Sequence, residues 1–281
     1  MKRIHIPLVV LSILSLFLLF CSQVSGTGQI LRVSDGAAMS LTEVVEDLKQ
    51  TRIVFVGELH DNRTHHAVQL EVIRALKEAN LPVAVGLEMF QRKSQPDLDR
   101  WIQGKLSEQE FKKIYYENWN FPWKLYRDIF TYSRDGRIPM IGLNVPPEIT
   151  RQVAREGFAS LSPEQLGDLG VVSCRVDPEY QAFIRRSLGM HGHGSMTFTR
   201  FCEAQLVWDT AMALNVLRFL EENPDLIVVV VAGSGHAWKQ GIPMQIRSRS
   251  TLPFRVILPR ITGRVEQENV SVNEADYLWL G

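Results

Sequence analysis

The sequence predicts an α/β fold, in which a mostly parallel sheet is flanked by helices and carries large helical inserts. Short runs of consecutive apolar residues recur along the chain, and such runs indicate strands that are buried on both faces. Segments with helical periodicity separate these runs, which is the alternation expected of a parallel α/β sheet. With 281 residues, the chain is long enough to bury the core of one large domain.

Five apolar runs are predicted to form the core strands. They are residues 52–57 (RIVFVG), 82–90 (PVAVGLEMF), 137–143 (RIPMIGL), 225–232 (DLIVVVVA) and 254–258 (FRVIL). The run at 225–232 is the strongest, because it contains four consecutive valines and β-branched residues favour strands. The chain ends in an aromatic segment at 277–280, which we expect to dock on the body because an exposed aromatic tail would be costly.

Helices are predicted between these strands. Ser40 with Glu43, and Ser107 with Glu110, have the spacing of capping boxes at helix N-termini. Helical signals cover residues 40–48, 62–79, 95–103, 107–117, 122–134 and 196–221.

Two of the connections between strands are much longer than a crossover requires. They are predicted to be helical inserts near residues 91–136 and 146–222. No repeat, low-complexity tract or linker divides the chain, so residues 27–281 are predicted to form a single α/β domain with these inserts.

Residues 1–26 are predicted to be a secretory signal peptide. Two basic residues precede an apolar run at 6–20, which has the length of a signal and is short for a membrane span. Small residues follow, and we expect cleavage near Gly26. A retained single anchor is one alternative, and Cys21 directly after the apolar run leaves lipid anchoring as another. The protein is expected to be exported.

Charge and cysteine content narrow the classes of partner. Lys plus Arg and Asp plus Glu both number 31, so the formal net charge is zero and nucleic acid is not expected as a partner. Cys174 and Cys202 remain once the signal is removed. In an oxidising compartment they either pair or stay as two buried thiols, and the sequence leaves both alternatives open.

Four polar side chains follow the ends of three predicted strands. Glu58 and His60 come after the first, Glu88 lies near the end of the second, and His236 follows the fourth after a Gly-Ser-Gly turn. Ligands and catalytic groups of open α/β sheets gather beyond the carboxyl ends of the strands, so these four residues are predicted to lie together. Of the two histidines on the next helix, His65 is expected to face the site and His66 to face solvent.

This residue set is typical of two kinds of site. Imidazoles with carboxylates suit zinc or another divalent metal, so all four residues are candidate metal ligands. The same four are candidate catalytic groups of a hydrolase that activates water by a metal or an acid–base pair. A third interpretation is a buried polar network that only holds the turns in place.

An aromatic segment in the first insert is the other unusual feature. Eight aromatic residues lie between positions 115 and 132, and Trp123, Tyr126 and Phe130 share one helical face. Most of them are expected to form core, since aromatic residues at helical spacing usually pack. The functional alternative is a flat apolar surface for a planar ligand such as haem, with a phenolate bound to the iron.

Several stretches resemble the ChaN family of haem-binding uptake lipoproteins of bacterial envelopes. They are VGELHDNRTHH, GLEMF, WNFPWKLYRDIF, IPMIGLNVPPEI, FCEAQLVWDTAMA and VVVVAGSGHAWKQGIP, in the same order along the chain. The family is grouped with the TIKI metalloproteases and the erythromycin esterases. Those relatives look similar at the positions that correspond here to 57–60, Glu88 and His236.

The resemblance implies an exported bacterial haem-binding protein that serves haem or iron uptake. It implies a tyrosine ligand to haem, for which Tyr126 is the first candidate and Tyr116 the second, with His193 and Lys239 as partners of the propionates. It also implies a homodimer, an outer-membrane haem receptor as partner, and a location in the periplasm or at the outer membrane. The alternative function is a metal-dependent esterase or peptidase that uses the strand-end residues.

Overall fold

The computed structural model describes residues 29–167 and 198–281, together with three isolated positions at 178, 182 and 185. Its strands form one sheet. They are β1 (Ile30–Arg32), β2 (Ala38–Met39), β3 (Ile53–Glu58), β4 (Val83–Gln91), β5 (Met140–Asn144), β6 (Ile227–Gly233), β7 (Phe254–Pro259) and β8 (Tyr277–Trp279). The strand order is β2-β1-β8-β7-β3-β6-β4-β5.

The strand pairing confirms the predicted fold class. From β8 to β5 all neighbouring strands are parallel, and only the β1–β2 and β1–β8 pairs are antiparallel. Each of the five predicted runs overlaps a core strand, and the ends of the strands lie within three residues of the prediction. The aromatic tail docks as expected, because β8 pairs with β7 and β1. β1 and β2 were not predicted, since two- and three-residue strands leave no periodic signal.

Helices cover both faces of the sheet. They are α1 (Leu41–Leu48), α2 (Arg63–Glu78), α3 (Gln95–Ile102), α4 (Glu108–Asn118), α5 (Trp123–Asp135), α6 (Pro147–Glu156), α7 (Pro163–Gly167), α8 (Phe198–Glu222), α9 (Ser234–Ala237) and α10 (Ile242–Arg247). In the part of the chain that the structure describes, no helix combines the length and the apolar character needed to span a membrane.

The two faces have separate hydrophobic cores. Helices α1 to α5 pack on one face, against Val54 and Val56 of β3. Helices α8 to α10 pack on the other face, against Ile53 and Phe55 of the same strand. Alternate residues of a strand point to opposite faces, so a run without polar residues is required where both faces are covered.

Local sequence explains where the helices begin. Ser40 and Ser107 each accept a hydrogen bond from the backbone N–H three residues later, and the carboxylates of Glu43 and Glu110 accept one from the backbone N–H of the serine, so both capping boxes form. Asn62 caps α2, because its side-chain oxygen accepts hydrogen bonds from the backbone N–H groups of Thr64 and His65.

The first insert is built mainly as core. Trp101 of α3 stacks on Phe111 of α4 with ring centroids 4.3 Å apart, and Phe111 stacks on Phe90 of β4 at 5.7 Å. Trp123, Tyr126 and Phe130 are all buried. The expectation that most of these aromatic residues pack in the interior is therefore confirmed.

Several predictions fall on residues outside the described ranges. They concern the signal peptide, Cys21, Cys174, His193 and much of the second insert. Cys202 in α8 is buried and disulfide-bonded, which removes the alternative of a free thiol at that position.

Candidate functional site

The carboxyl ends of β3, β4 and β6 bring the four predicted residues together. Because β6 lies between β3 and β4, Glu58 is in register with Gly233, the residue that leads into the turn before His236. Oε1 of Glu88 lies 3.9 Å from Nε2 of His60 and 3.7 Å from Nε2 of His236. We call Glu58, His60, Glu88 and His236 the strand-end cluster.

Glu58 is the most connected residue of the cluster. Its Oε1 receives Tyr126 Oη–H at 2.6 Å and lies 2.6 Å from His60 Nδ1. Its Oε2 lies 2.6 Å from His66 Nε2, although the angle there is poor for a hydrogen bond. Burial alone would raise the pKa of Glu58, but the contacts with His60 and His66 outweigh it and lower the pKa to about 2. Glu58 is therefore an ionised carboxylate at neutral pH.

His60 has one ring nitrogen on Glu58 and the other directed to Glu88. Burial disfavours its imidazolium, but the charges of Glu88 and Glu58 and the hydrogen bond to Glu58 raise its pKa to about 9. The ring packs edge-on against Trp119, with centroids 5.0 Å apart. His60 is thus a cation with a fixed orientation.

Glu88 is held by the backbone at the end of β6. Its Oε2 accepts the Gly233 N–H at 2.6 Å, and its other oxygen faces the two imidazoles. A glycine is required at 233, because a Cβ there would lie 2.9 Å from Cε1 of His60. The close approach of β6 to His60 therefore depends on the absence of a side chain at this position.

Asp209 completes the site and was missed by the sequence analysis. It is fully buried in α8, and its Oδ1 lies 2.7 Å from Nδ1 of His236. Burial raises the pKa of Asp209 to about 6 against the attraction of His236, and the charges of Glu88 and Asp209 raise the pKa of His236 despite its burial. Gln205 also contacts His236 Nδ1, at 2.9 Å. A carboxylate within the apolar stretch of a buried helix was the available signal.

His66 was wrongly expected to face solvent. It is only 2% exposed, and its ring packs against Tyr126 with centroids 4.1 Å apart. The prediction failed because α5 covers the face of α2 on which His66 lies. His65 does turn toward the site, where its Nδ1 accepts the Leu59 N–H at 2.9 Å.

The cluster opens to a cavity of about 190 Å³. Both cluster histidines line it, together with Leu59, Phe201, Gln205, Ile261, Arg264 and Val265. Two of its other lining residues, Glu58 and Ser234, have a buried oxygen without a hydrogen-bond partner in the described part of the chain, at Oε2 and Oγ. The arrangement combines two supported imidazoles, one intervening carboxylate and a small solvent-accessible space.

The described residues do not form a ready metal centre. They contain no group of three or more His, Cys, Asp or Glu side chains placed to hold an ion. Glu58 is occupied by His60 and Tyr126, and Glu88 gives one oxygen to the backbone. The predicted zinc or other divalent site at the cluster is not supported by this arrangement and stays a prediction.

The two candidate haem ligands lie in different surroundings. Tyr126 is completely buried, and burial together with the charge of Glu58 raises its pKa. Tyr116 is 47% exposed, its oxygen accepts the Trp123 N–H at 3.1 Å, and Lys112 Nζ lies 6.0 Å from its ring centroid. Only Tyr126 contacts the cluster.

Lys239 lies elsewhere, beside β8. Its Nζ is 2.6 Å from Oδ1 of Asp276 and donates to the Val272 carbonyl at 2.8 Å. The structure does not bring it to either tyrosine. Its predicted partnership with a propionate, like that of His193, stays a prediction.

Comparison with solved structures supports the fold. ChaN of Campylobacter jejuni, solved in a study of cofacial heme binding, is 20% identical with a TM-score of 0.68, and the match covers 90% of this chain and 96% of that one. An erythromycin esterase mutant in its open conformation is 16% identical with a TM-score of 0.48, over 77% of this chain and 72% of that one. No curated protein matches the sequence.

Comparison with protein families is more specific. A family model described as "Haem-binding uptake, Tiki superfamily, ChaN" matches residues 44–246. The match extends from α1 to α10 and includes every residue of the strand-end cluster. Since it covers well over half of the sequence, the chain belongs to the ChaN family of the Tiki superfamily.

Proposed function

We propose that this protein binds haem as a cargo for uptake. Membership of the haem-binding uptake family over residues 44–246 is the observation that carries the proposal. The cofacial heme binding described for ChaN of Campylobacter jejuni agrees with it. The chain must then offer a group that binds the iron and a surface that accepts a flat apolar ring.

Tyr116 is the better iron ligand on electrostatic grounds. A phenolate at Tyr126 would place a second negative charge 2.6 Å from the ionised Glu58, in a buried site where repulsion between like charges is strong. The Tyr116 oxygen instead accepts a backbone N–H, and an exposed Lys112 lies beside its ring. The Tyr116 oxygen therefore faces a donor and has a cation nearby, whereas the Tyr126 oxygen faces a carboxylate, and tyrosine is a known ligand of haem iron. Lys112 is also a suitable partner for a propionate.

Hemin titration of the purified protein tests this assignment. We expect wild-type protein to shift the Soret band of hemin, Tyr116→Phe to abolish the shift, and Lys112→Gln to weaken binding. Tyr126→Phe and Tyr132→Phe are matched controls and should retain the wild-type spectrum. A spectrum lost in Tyr126→Phe but kept in Tyr116→Phe would reverse the assignment, and no shift in wild-type protein would reject haem binding.

Export and iron uptake form part of the same proposal. The basic residues and the apolar run at 6–20 support secretion into the bacterial envelope, with cleavage near Gly26 or a lipid on Cys21. An outer-membrane receptor and a homodimer are the proposed partners. The mass of the mature protein distinguishes cleavage from lipidation. Growth of a deletion strain with hemin as the sole iron source tests uptake, and wild-type growth would contradict it.

The second candidate function is hydrolysis at the strand-end cluster. The specific observation in its favour is the support of both imidazoles, His60 by Glu58 and His236 by Asp209, on either side of Glu88. Glu88 would take a proton from water as the water oxygen attacks an ester or amide carbonyl. An imidazolium would return a proton to the leaving group as its bond to carbon breaks.

Hydrolysis of p-nitrophenyl acetate provides a direct test. We expect Glu88→Gln to lower kcat by about a hundredfold or more, as loss of a general base does. Asp209→Asn should shift the pH profile, because it changes the support of His236. Glu71→Gln on α2, which is not part of the strand-end cluster, is the matched control. A rate in Glu88→Gln equal to wild type would exclude this function, and the same assays with and without zinc test for a metal.

A further inference from the structure

A second and larger groove lies along the same edge of the sheet, with a volume of about 600 Å³. Its floor is formed by the ends of β4 and β5, and its walls by the segment after α4 and by α6 and α8. The residues that matter below are Gln91, Glu117, Trp119, Arg151 and Trp208. Neither Tyr116 nor Tyr126 is among the described residues that line this groove. The groove is therefore separate from the proposed iron-binding tyrosine.

Two tryptophans join this groove to the strand-end cluster. Trp119 lines the groove and packs edge-on against His60, with centroids 5.0 Å apart. Trp208 lines it from α8 and packs edge-on against His236, at 5.6 Å. A ligand in the groove would therefore touch both rings that hold the cluster histidines.

Two polar side chains of the groove, Gln91 and Arg151, keep groups that a ligand could bind. Gln91 is 7% exposed, and its Oε1 accepts no hydrogen bond from any described residue. Such a buried acceptor is costly unless a donor reaches it. Arg151 donates Nε–H to the Pro147 carbonyl at 3.1 Å and has no ion pair among residues 29–167 and 198–281. The groove thus presents an acceptor in its floor and a cation in its wall.

We propose that this groove binds the carboxyl end of a peptide, or an N-acylated amino acid, with an aromatic side chain. The aromatic ring packs against Trp119 and Trp208, as flat apolar groups do. The carboxylate pairs with the Arg151 guanidinium, which matches it with two parallel N–H donors. The amide N–H of the ligand donates to Gln91 Oε1. Each chemical feature of the ligand corresponds to one feature of the groove.

Glu117 also lies on the rim and carries the opposite charge to Arg151. It repels the ligand carboxylate, so its neutralisation should strengthen binding. Opposite effects of Glu117 and Arg151 on the affinity would distinguish the proposed binding from a nonspecific apolar contact, whose affinity would not depend on either charge.

Calorimetric titration with N-acetylphenylalanine tests the proposal, with N-acetylphenylalaninamide as the uncharged comparison. We expect the acid to bind about tenfold more tightly than the amide, since only the acid can pair with the Arg151 guanidinium through charge-assisted hydrogen bonds. Arg151→Gln should remove this difference, Gln91→Met should weaken both ligands, and Glu117→Gln should tighten only the acid. Arg155→Gln on the same helix is the matched control and should match wild type.

Clear results would overturn the proposal. They are no saturable heat with either ligand, equal affinities for acid and amide, or an equal effect of Arg151→Gln and Arg155→Gln. Tyr116→Phe should leave N-acetylphenylalanine binding unchanged while abolishing hemin binding. If Tyr116→Phe abolished the binding of both ligands, the two ligands would share one site and the proposal of a separate groove would be rejected. Loss of hemin binding alone leaves this inference intact.

Discussion

The strand-end cluster and the aromatic insert differ in how they place polar atoms in a protein interior. The cluster brings imidazoles and carboxylates into contact, and Glu58 alone has three close neighbours in His60, Tyr126 and His66. The insert buries rings and directs most of their polar atoms to backbone groups, as when Trp101 Nε1 donates to the Phe130 carbonyl. Tyr126 belongs to the insert by sequence and to the cluster by contact.

The two tyrosines of the insert show what this difference means. Tyr126 and Tyr116 lie ten positions apart in the sequence, yet one oxygen meets a buried carboxylate and the other meets a backbone N–H near solvent. Burial and the charge of Glu58 raise the pKa of Tyr126, whereas the Tyr116 side chain is about half exposed. The identity of the residue is therefore less informative than the charge that its oxygen faces.

Of the changes that test the difference between the cluster and the insert, removal of Glu58 should have the largest effect on stability. Glu58→Ala leaves His60 and His66 without their carboxylate partner and Tyr126 without its acceptor. Breaking a buried charged network in this way costs about 3–5 kcal/mol of unfolding free energy. Urea denaturation measures it, and Glu46→Ala on the exposed side of α1 should stay within about 0.5 kcal/mol of wild type. Equal stability of the two variants would contradict a structural role for the network.

The next effect should appear as a pH dependence of stability. The pKa of His60 is raised in the folded protein from 6.5 to about 9, so folding retains a proton that the unfolded chain releases between these values. This stabilisation is complete below pH 6.5 and is lost as pH rises through 9, by about 3 kcal/mol in all. Urea midpoints from pH 6 to 10 measure the loss. The decrease of the urea midpoint with pH should be shallower in His60→Gln. An unchanged decrease would mean that a group other than His60 retains the proton.

A smaller effect should separate the two tyrosines by stability. Tyr126→Phe removes a donor from the buried carboxylate of Glu58 and should cost about 2 kcal/mol, as hydrogen bonds to charged groups do. Tyr116→Phe removes only a neutral, part-buried hydrogen bond from the Trp123 N–H and should cost about 1 kcal/mol or less. Thermal or urea unfolding compares them. Equal losses would mean that burial does not distinguish the two hydroxyls.

The smallest effect should come from the helix that carries Tyr116. Ser107→Ala removes the cap of α4 and should cost about 1 kcal/mol. Ser40→Ala removes the same kind of cap from α1 and should cost about as much, without affecting hemin. If Ser107→Ala also weakens hemin binding, the start of α4 contributes to holding Tyr116. Equal hemin affinities of the Ser107→Ala and Ser40→Ala variants would mean that the loop before Trp123, and not the start of α4, holds Tyr116 in place.

Much of the fold was predictable because its signals are local. Four consecutive valines in β6, and the serine–glutamate spacing before α1 and α4, depend on no distant residue. The common edge of Glu58, Glu88 and His236 also followed, because parallel strands end at the same side of a sheet. The prediction that His66 faces solvent was wrong, because helical periodicity does not show which neighbouring helix will cover a given face.

The partners of these groups required the tertiary structure. Asp209 reaches His236 from 27 positions away, and Tyr126 reaches Glu58 from 68, across helices that pack on opposite faces of the sheet. The sequence by itself determined the strands, the helices and the edge at which the charged residues collect. Only the tertiary structure decided which charges pair, which tyrosine is buried and where the grooves lie. These features depend on how separate helices pack against one sheet, and burial then sets the strength of each charge that they bring together.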